Sequence, residues 1–122
     1  MGAKIVIADD EPNIVAALEF LLQRNGYDVH VARNGDEALS LIESCNPDLV
    51  LLDVMMPLKS GYEVCARIRE RHDWQHIKII MLSAKGRDAE VARGLALGAD
   101  LYVTKPFSTR ELMGRIRELL GR

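Results

Sequence analysis

Four short apolar runs, each followed at once by a polar or charged side chain, constrain the fold of this chain more than any other feature. They occupy residues 5–8, 49–52, 79–82 and 101–103. The run at 49–52 is apolar at every position, which is typical of a central parallel strand that helices cover on both faces. Segments with helical periodicity separate the runs, and this alternation predicts a parallel sheet with right-handed crossovers.

One more strand, at residues 28–32, completes a pattern of five strands that alternate with five helices. We expect the helices at about residues 12–24, 35–46, 61–71, 88–97 and 108–122, because Pro, Gly and Asn residues punctuate the chain between them. The last helix opens with the capping-box sequence Ser108-Thr109-Arg110-Glu111. Five strands favour the order 2-1-3-4-5 of the flavodoxin-like α/β fold, a doubly wound sheet, in a single domain spanning residues 1–122.

The polar residues that follow the four apolar runs are Asp9, Asp10, Asp53, Ser83 and Lys105. In the order 2-1-3-4-5, strands 1, 3, 4 and 5 are consecutive neighbours, so these side chains emerge at one edge, where open α/β sheets bind ligands. Three carboxylates this close together require raised pKa values or a cation. A hard divalent ion that prefers oxygen ligands, such as Mg²⁺, suits this set best.

The same residues suggest phosphoryl transfer to a carboxylate. Neither GxxxxGK[ST] nor GxGxxG is present, so a glycine-rich phosphate loop is excluded. A carboxylate nucleophile, a metal, a lysine and a hydroxyl are the components that remain. Taken singly, each residue has a structural alternative. Asp9, Asp10 and Glu11 before Pro12 could form only an acidic N-cap run, Lys105 could be a solvated loop residue, and Ser83 could cap a turn. Their joint occurrence at four strand ends favours the functional interpretation.

Composition excludes several other classes of function. The chain has 122 residues and a formal net charge of −2, which argues against nucleic-acid binding by the chain itself. No apolar run approaches the ~20 residues of a membrane span. No signal peptide is recognisable, so we expect a cytoplasmic protein with no membrane attachment. Cys45 and Cys65 have no CxxC partner, and His30, His72 and His76 form no metal-binding cluster.

The motifs at the strand ends resemble those of the receiver (CheY-like) domain of bacterial two-component response regulators. The resemblance covers the whole chain, and at these spacings the set of motifs is highly specific. The motifs are Ala8-Asp9-Asp10-Glu11-Pro12, Leu52-Asp53-Val54-Met55-Met56-Pro57 with Gly61, Met81-Leu82-Ser83-Ala84, Gly98-Ala99-Asp100 and Lys105-Pro106-Phe107.

This resemblance implies a magnesium-dependent phosphoacceptor site. Asp53 is then the residue that takes the phosphoryl group. Asp10, Asp53 and the main-chain carbonyl of Met55 are the implied Mg²⁺ ligands, and Asp9 acts through a bound water.

The resemblance also implies how the protein binds the phosphoryl group and responds to it. Lys105 would pair with the phosphoryl oxygens and Ser83 would hydrogen-bond another of them. Tyr102 would be the aromatic switch residue, which turns inward when Ser83 engages the phosphate. The peptide bond between Lys105 and Pro106 is expected to be cis.

The implied partners are a sensor histidine kinase or a histidine phosphotransfer protein, and a second copy of the chain. The resemblance implies a homodimer through the fourth helix, fifth strand and fifth helix, but this face departs from the family pattern. Glu111 and Arg115 are available for charged pairs, but Val91 and Leu101 stand where such dimers usually have charged residues. If Val91 and Leu101 are exposed, this face presents apolar surface, so we also expect that it could bind a partner other than a second copy of the chain.

Two alternatives stay open beside the switch hypothesis. A Mg²⁺-dependent phosphohydrolase with an aspartyl-phosphate intermediate would need a carboxylate two residues after the nucleophile, where this chain has Met55. A degenerate receiver that serves only as an interaction module is disfavoured by the complete residue set. The leading hypothesis is therefore a phosphorylation-operated switch on Asp53, not an enzyme, which catalyses only its own phosphorylation and dephosphorylation.

Overall fold

Strands and helices alternate along residues 2–121, the part of the chain that the computed structural model describes. A short 3₁₀ turn at His72–Trp74, which the sequence analysis did not anticipate, precedes the fourth strand. The second, third and fourth helices each end one residue earlier than expected, and the fifth ends at Leu119 rather than at the chain terminus. The strands are β1 (Lys4–Ala8), β2 (Asp28–Ala32), β3 (Leu49–Asp53), β4 (Lys78–Ser83) and β5 (Leu101–Thr104). The helices are α1 (Pro12–Arg24), α2 (Gly35–Cys45), α3 (Gly61–Glu70), α4 (Asp88–Ala96) and α5 (Thr109–Leu119).

The five strands form one parallel sheet in the order β2-β1-β3-β4-β5, which confirms the predicted flavodoxin-like topology. All five residues of β3 are buried, as its uniformly apolar sequence predicted. Successive residues of a strand point to opposite faces of the sheet, so β1 serves two cores. Val6 packs with the core under α2 and α3, whereas Ile5 and Ile7 pack with the core under α1 and α5.

Side-chain caps begin three of the helices. The capping box expected at α5 is only half formed, because Ser108 accepts the Glu111 amide at 3.2 Å without a reciprocal bond. A complete capping box lies instead at α3, where Ser60 and Glu63 each accept the other's backbone N–H. Asn34 caps α2. These caps set where α2 and α3 begin.

Helix α4 is packed more lightly than the others. Its one buried residue is Gly94, whereas α1, α2 and α5 each bury three residues and α3 buries five. None of the helices in the described part of the chain has the length and hydropathy that crossing a membrane would need.

Candidate functional site

Three aspartates meet where β1 and β3 end. Asp9 and Asp10 follow β1, and Asp53 is the last residue of the neighbouring strand β3. One carboxylate oxygen from each of the three lies within 4.8 Å of the others. Asp9 and Asp53 are 1% and 4% exposed, whereas Asp10 faces solvent. The cluster thus has two buried carboxylates and one open side.

The Lys105 ammonium lies against this cluster. Its Nζ atom is 3.2 Å from Asp9 Oδ2 and 3.5 Å from Asp53 Oδ1. The Lys105 amide donates to the Ser83 carbonyl at 2.7 Å, which fixes the start of the loop after β5. The peptide bond to Pro106 is cis, as expected. The structure therefore brings together the two strand ends and the lysine that the sequence analysis placed at this edge.

Glu11 is a member of the cluster that the sequence analysis missed. Its Oε1 atom is 2.7 Å from Lys105 Nζ, closer than either aspartate, and its own amide donates to Asp9 Oδ1 at 2.9 Å. The acidic run at residues 9–11 was visible in the sequence, but nothing in it showed that the third carboxylate turns toward the lysine. Asp9 therefore has one oxygen occupied by a backbone N–H and the other by an ammonium.

The surroundings raise the pKa of Asp53 to about 6. Burial is the largest cause and the charge of Asp9 is the next, while Lys105 and the Met55 amide act in the opposite direction. Burial lowers the pKa of Lys105, but the hydrogen bond that its ammonium donates to Glu11 and the charges of Asp53 and Asp9 outweigh this effect, so the pKa is raised. Three carboxylates, those of Asp9, Glu11 and Asp53, thus lie within 3.5 Å of the Lys105 ammonium.

This donor set suits a hard cation. The cluster consists of carboxylate oxygens, and no His or Cys belongs to it among the described residues. The free thiols lie elsewhere: Cys45 is half-buried on α2 and Cys65 is buried on α3. The excess of negative charge favours a cation, and the carboxylate oxygens favour a hard ion such as Mg²⁺ over a soft metal.

Ser83 and Tyr102 both contact Lys85, on the loop between β4 and α4. Ser83 is fully buried at the end of β4, and its Oγ atom accepts the Lys85 amide at 2.9 Å. The half-buried Tyr102 donates its hydroxyl to the Lys85 carbonyl at 2.6 Å. The backbone of one residue therefore connects two side chains that the sequence analysis had coupled only through the family resemblance.

The face formed by α4, β5 and α5 differs from expectation. Val91 and Leu101, expected to be exposed, are half-buried, and Leu101 packs against the core under α1 and α5. Leu95 on α4 is the exposed large apolar side chain of this face, at 46%. Glu111 and Arg115 are exposed on α5, as expected.

The rim of the acidic cluster also carries exposed apolar side chains. Met55 is 58% exposed, and its amide is 3.4 Å from Asp53 Oδ1. Leu58 is 72% exposed and has a positive φ of 72°, which is unfavourable for a branched side chain. Both residues lie on the loop between β3 and α3.

A parallel sheet in this order, with acidic residues at the carboxyl ends of two central strands, defines a flavodoxin-like domain with a ligand site at its edge. A family model, described as the response regulator receiver domain, matches residues 5–117. The chain therefore belongs to the response regulator receiver domain family. Receiver domains are signalling switches rather than enzymes, which argues against the phosphohydrolase alternative.

Solved receiver structures are similar along the whole chain. A putative response regulator from Chloroflexus aurantiacus J-10-fl is 34% identical, with a TM-score of 0.93 and 100% of both chains covered. The BeF3-activated receiver domain of RstA from Klebsiella pneumoniae is 32% identical, with a TM-score of 0.90, and 98% of this chain and 99% of that chain are covered. A histidine kinase receiver domain from Pseudomonas aeruginosa PAO1, with magnesium coordinated in its active-site cleft, is 27% identical, with a TM-score of 0.90 and full coverage of both chains.

Proposed function

We propose that residues 1–122 form one phosphoacceptor receiver domain of a two-component signalling system, working in the cytoplasm, with Asp53 as the residue that is phosphorylated. The observation that carries this proposal is the position of Asp53: a buried carboxylate at the end of a fully buried strand, beside two more aspartates and 3.5 Å from the Lys105 ammonium. A buried carboxylate in an acidic cluster is costly for stability, which favours a chemical role.

In the proposed reaction, an oxygen of Asp53 attacks the phosphorus of a phosphohistidine on a sensor kinase or a phosphotransfer protein. The new P–O bond forms as the P–N bond breaks, and the imidazole retains the electron pair of the broken bond. Asp53 reacts as the carboxylate, so its proton must be lost first. Lys105 stabilises that carboxylate and then the added phosphoryl charge.

Asp10, Asp53 and the Met55 carbonyl would hold Mg²⁺, with Asp9 acting through a water. Asp9 suits this outer role because its two oxygens already accept from the Glu11 amide and Lys105. When bound, the ion supplies positive charge that neutralises the phosphoryl oxygens and favours ionised Asp53. The related receiver with magnesium in its active-site cleft supports this assignment.

Ser83 and Tyr102 would convert phosphorylation into a change of surface. Ser83 leaves the Lys85 amide to donate its hydroxyl to the phosphoryl group, and the loop from β4 to α4 moves with it. Tyr102 then loses its bond to the Lys85 carbonyl and turns inward. We propose that the altered face of α4, β5 and α5 binds a partner, with a second copy of the chain as one candidate. The related receiver in its BeF3-activated form supports a switchable state.

Phosphorylation by acetyl phosphate tests the acceptor. With Mg²⁺ present, we expect borohydride trapping and mass spectrometry to locate the modification at Asp53. The variant Asp53→Asn should remain unlabelled, whereas Asp73→Asn, a change at an exposed aspartate on the 3₁₀ turn, should label like the unmodified protein. Full labelling of Asp53→Asn, or no labelling of any variant, would contradict the proposal.

Thermal unfolding tests the proposed metal site. Mg²⁺ binds only the native cluster, so a hundredfold excess over its dissociation constant should add about 2.7 kcal/mol to the free energy of unfolding. Asp10→Asn removes one of the repelling charges, so it should raise the melting temperature without metal and abolish most of the response to Mg²⁺. An undiminished Mg²⁺ response in Asp10→Asn would exclude this residue as a ligand.

A further inference from the structure

Helix α4 is attached to α3 by a stripe of three hydrogen-bond donors. Tyr62, Cys65 and Arg69 are three and then four residues apart on α3, so their side chains leave one face of that helix. Each donates to a backbone carbonyl of α4 or of the two residues that follow it. The acceptors, in the same order, are Glu90 at 3.2 Å, Leu97 at 3.6 Å and Gly98 at 2.9 Å.

The carboxyl end of α4 is the firmly held end. In addition to its bond to the Gly98 carbonyl, the Arg69 guanidinium donates to the Ile77 carbonyl at 2.7 Å and to the Asp100 carboxylate at 3.0 Å. The Asp100 carboxylate in turn accepts the Ile79 amide at 2.8 Å, which ties the segment before β5 to β4. Charge-assisted bonds of this kind are about twice as strong as neutral ones.

The amino end of α4 is held by much less. The Tyr62 hydroxyl makes one neutral bond to the Glu90 carbonyl. The Arg93 guanidinium, three residues further along α4, stacks 4.1 Å from the centre of the Tyr62 ring. The N-cap residue Arg87 makes no side-chain cap. One buried carboxylate oxygen of Glu90 lacks a hydrogen-bond partner within the part of the chain that the structure describes. The first turn of α4 therefore lacks both a side-chain cap and a hydrogen bond for one buried polar atom.

Tyr62 and Cys65 remain donors across the physiological range. Burial, and after it the neighbouring Tyr102 hydroxyl, raises the pKa of Tyr62 to about 12. Burial also raises the pKa of Cys65, to about 11. The stripe is thus insensitive to pH, and the difference between its two ends comes from the number and charge of the bonds.

A movement that starts at Ser83 reaches the weak end of α4 first. Ser83 and Tyr102 bind the amide and the carbonyl of Lys85, and the chain enters α4 at Asp88, three residues later. The carboxyl end of α4 lies beyond the whole length of the helix and is separately bound to Arg69.

We propose that Tyr62 is a positioning residue that holds the first turn of α4 in the resting state and releases it when the switch operates, while Cys65 and Arg69 keep the carboxyl end as a pivot. This inference rests on the proposed function of Asp53 and the α4 face. A bond that exists only in the resting state opposes activation, so its removal increases the fraction of active molecules and strengthens binding of any ligand selective for the active state.

Titration with beryllofluoride and Mg²⁺, an unreactive stand-in for the phosphoryl group, tests this role by calorimetry. Loss of one neutral hydrogen bond predicts about three- to fivefold tighter apparent binding for Tyr62→Phe. Amide exchange in residues 88–92 of the resting protein should become faster as well. Arg93→Gln, which removes the guanidinium stacked on the Tyr62 ring, should change binding in the same direction by a smaller factor.

Cys65→Ala is the matched control, since it removes a donor of the same stripe at the pivot. It should lower the melting temperature without changing the affinity for beryllofluoride. A Tyr62→Phe protein that melts lower but binds with unchanged affinity would show a purely structural role and overturn the inference, while the proposed function would stand. Equal tightening in Cys65→Ala would also overturn it. Unmodified protein that does not bind beryllofluoride would overturn the proposed function and this inference together.

Discussion

The acidic edge of the sheet, where β1 and β3 end at Asp9, Asp10 and Asp53, is buried far more deeply than helix α4. At the acidic edge, four of the five residues of β1 and all five of β3 are buried. In α4, the one buried residue is a glycine. The two regions are nonetheless linked by the loop between β4 and α4, because Ser83 and Tyr102 both bind the backbone of Lys85, three residues before α4 begins.

This contrast teaches how one small domain can combine chemistry with movement. A reacting carboxylate must be held in place, and the buried strand ends hold Asp53 through tightly packed backbone. A surface that changes its conformation must have a low local stability, which comes with few buried apolar contacts. The structure satisfies both needs by keeping them in separate elements that share one loop.

The largest expected effect is that of Gly61→Ala, which tests the rigidity of the acidic edge. A β carbon at this position would overlap the Asp53 carbonyl oxygen and lie 2.9 Å from the Val54 Cα. These are backbone atoms of a buried region, so we expect a loss of about 3 kcal/mol in the free energy of unfolding, measured in urea. Phosphorylation of Asp53 should fall with it. If the variant is as stable as the unmodified protein, the backbone at this edge adjusts to a new side chain as easily as α4 does.

A smaller effect, on the order of 2 kcal/mol, is expected from pH in the absence of metal. The folded pKa of Asp53 is about 6, above the value of about 4 for an unfolded aspartate. The folded state therefore binds the proton more tightly. The contribution of Asp53 is present in full below about pH 4 and is lost as the pH rises through 6.

Unfolding in EDTA from pH 4 to 7, compared between the unmodified protein and Asp53→Asn, measures this contribution. Asp53→Asn should be the more stable of the two at pH 7, and the difference should shrink toward pH 4. Parallel curves for the two proteins would mean that burial and Asp9 place no strain on Asp53.

The smallest effect is expected from Gly94→Ala, about 1 kcal/mol of net destabilisation. Its β carbon would lie 2.8 Å from both Met81 Sδ and Tyr102 Cδ2, which are side-chain atoms that can move. The better helix propensity of alanine offsets part of the clash. Tyr102 should be displaced, and its hydrogen bond to Lys85 weakened, as seen by exchange in the loop.

Gly114→Ala provides the control, because α5 offers open space around a β carbon at that position. It should gain up to about 1 kcal/mol from helix propensity alone. If Gly94→Ala instead cost as much as Gly61→Ala, α4 would be as firmly packed as the acidic edge and the contrast between the two regions would fail.

Most of the fold could be predicted because it depends on short-range patterns. The four apolar runs and the separate segment at 28–32 together predicted all five strands, and the segment at 28–32 matches β2 to the residue. The capping box at Ser60 could also have been predicted, because Ser60 and Glu63 have the same spacing as the signature recognised at Ser108, but it was missed. The exposure of Leu95 and the partial burial of Val91 could not be predicted, because α4 has too few apolar positions to reveal its inner face.

The sequence by itself determined which residues meet at the acidic edge. Parallel strands bring their carboxyl ends together, so Asp9, Asp53 and Lys105 become neighbours once the strand order is known. Only the tertiary structure decided that Glu11 turns to the lysine, and that Tyr62 reaches the Glu90 carbonyl. Such bonds join side chains and carbonyls far apart in the chain, and they form or fail within a few tenths of an ångström, which periodicity and spacing do not encode.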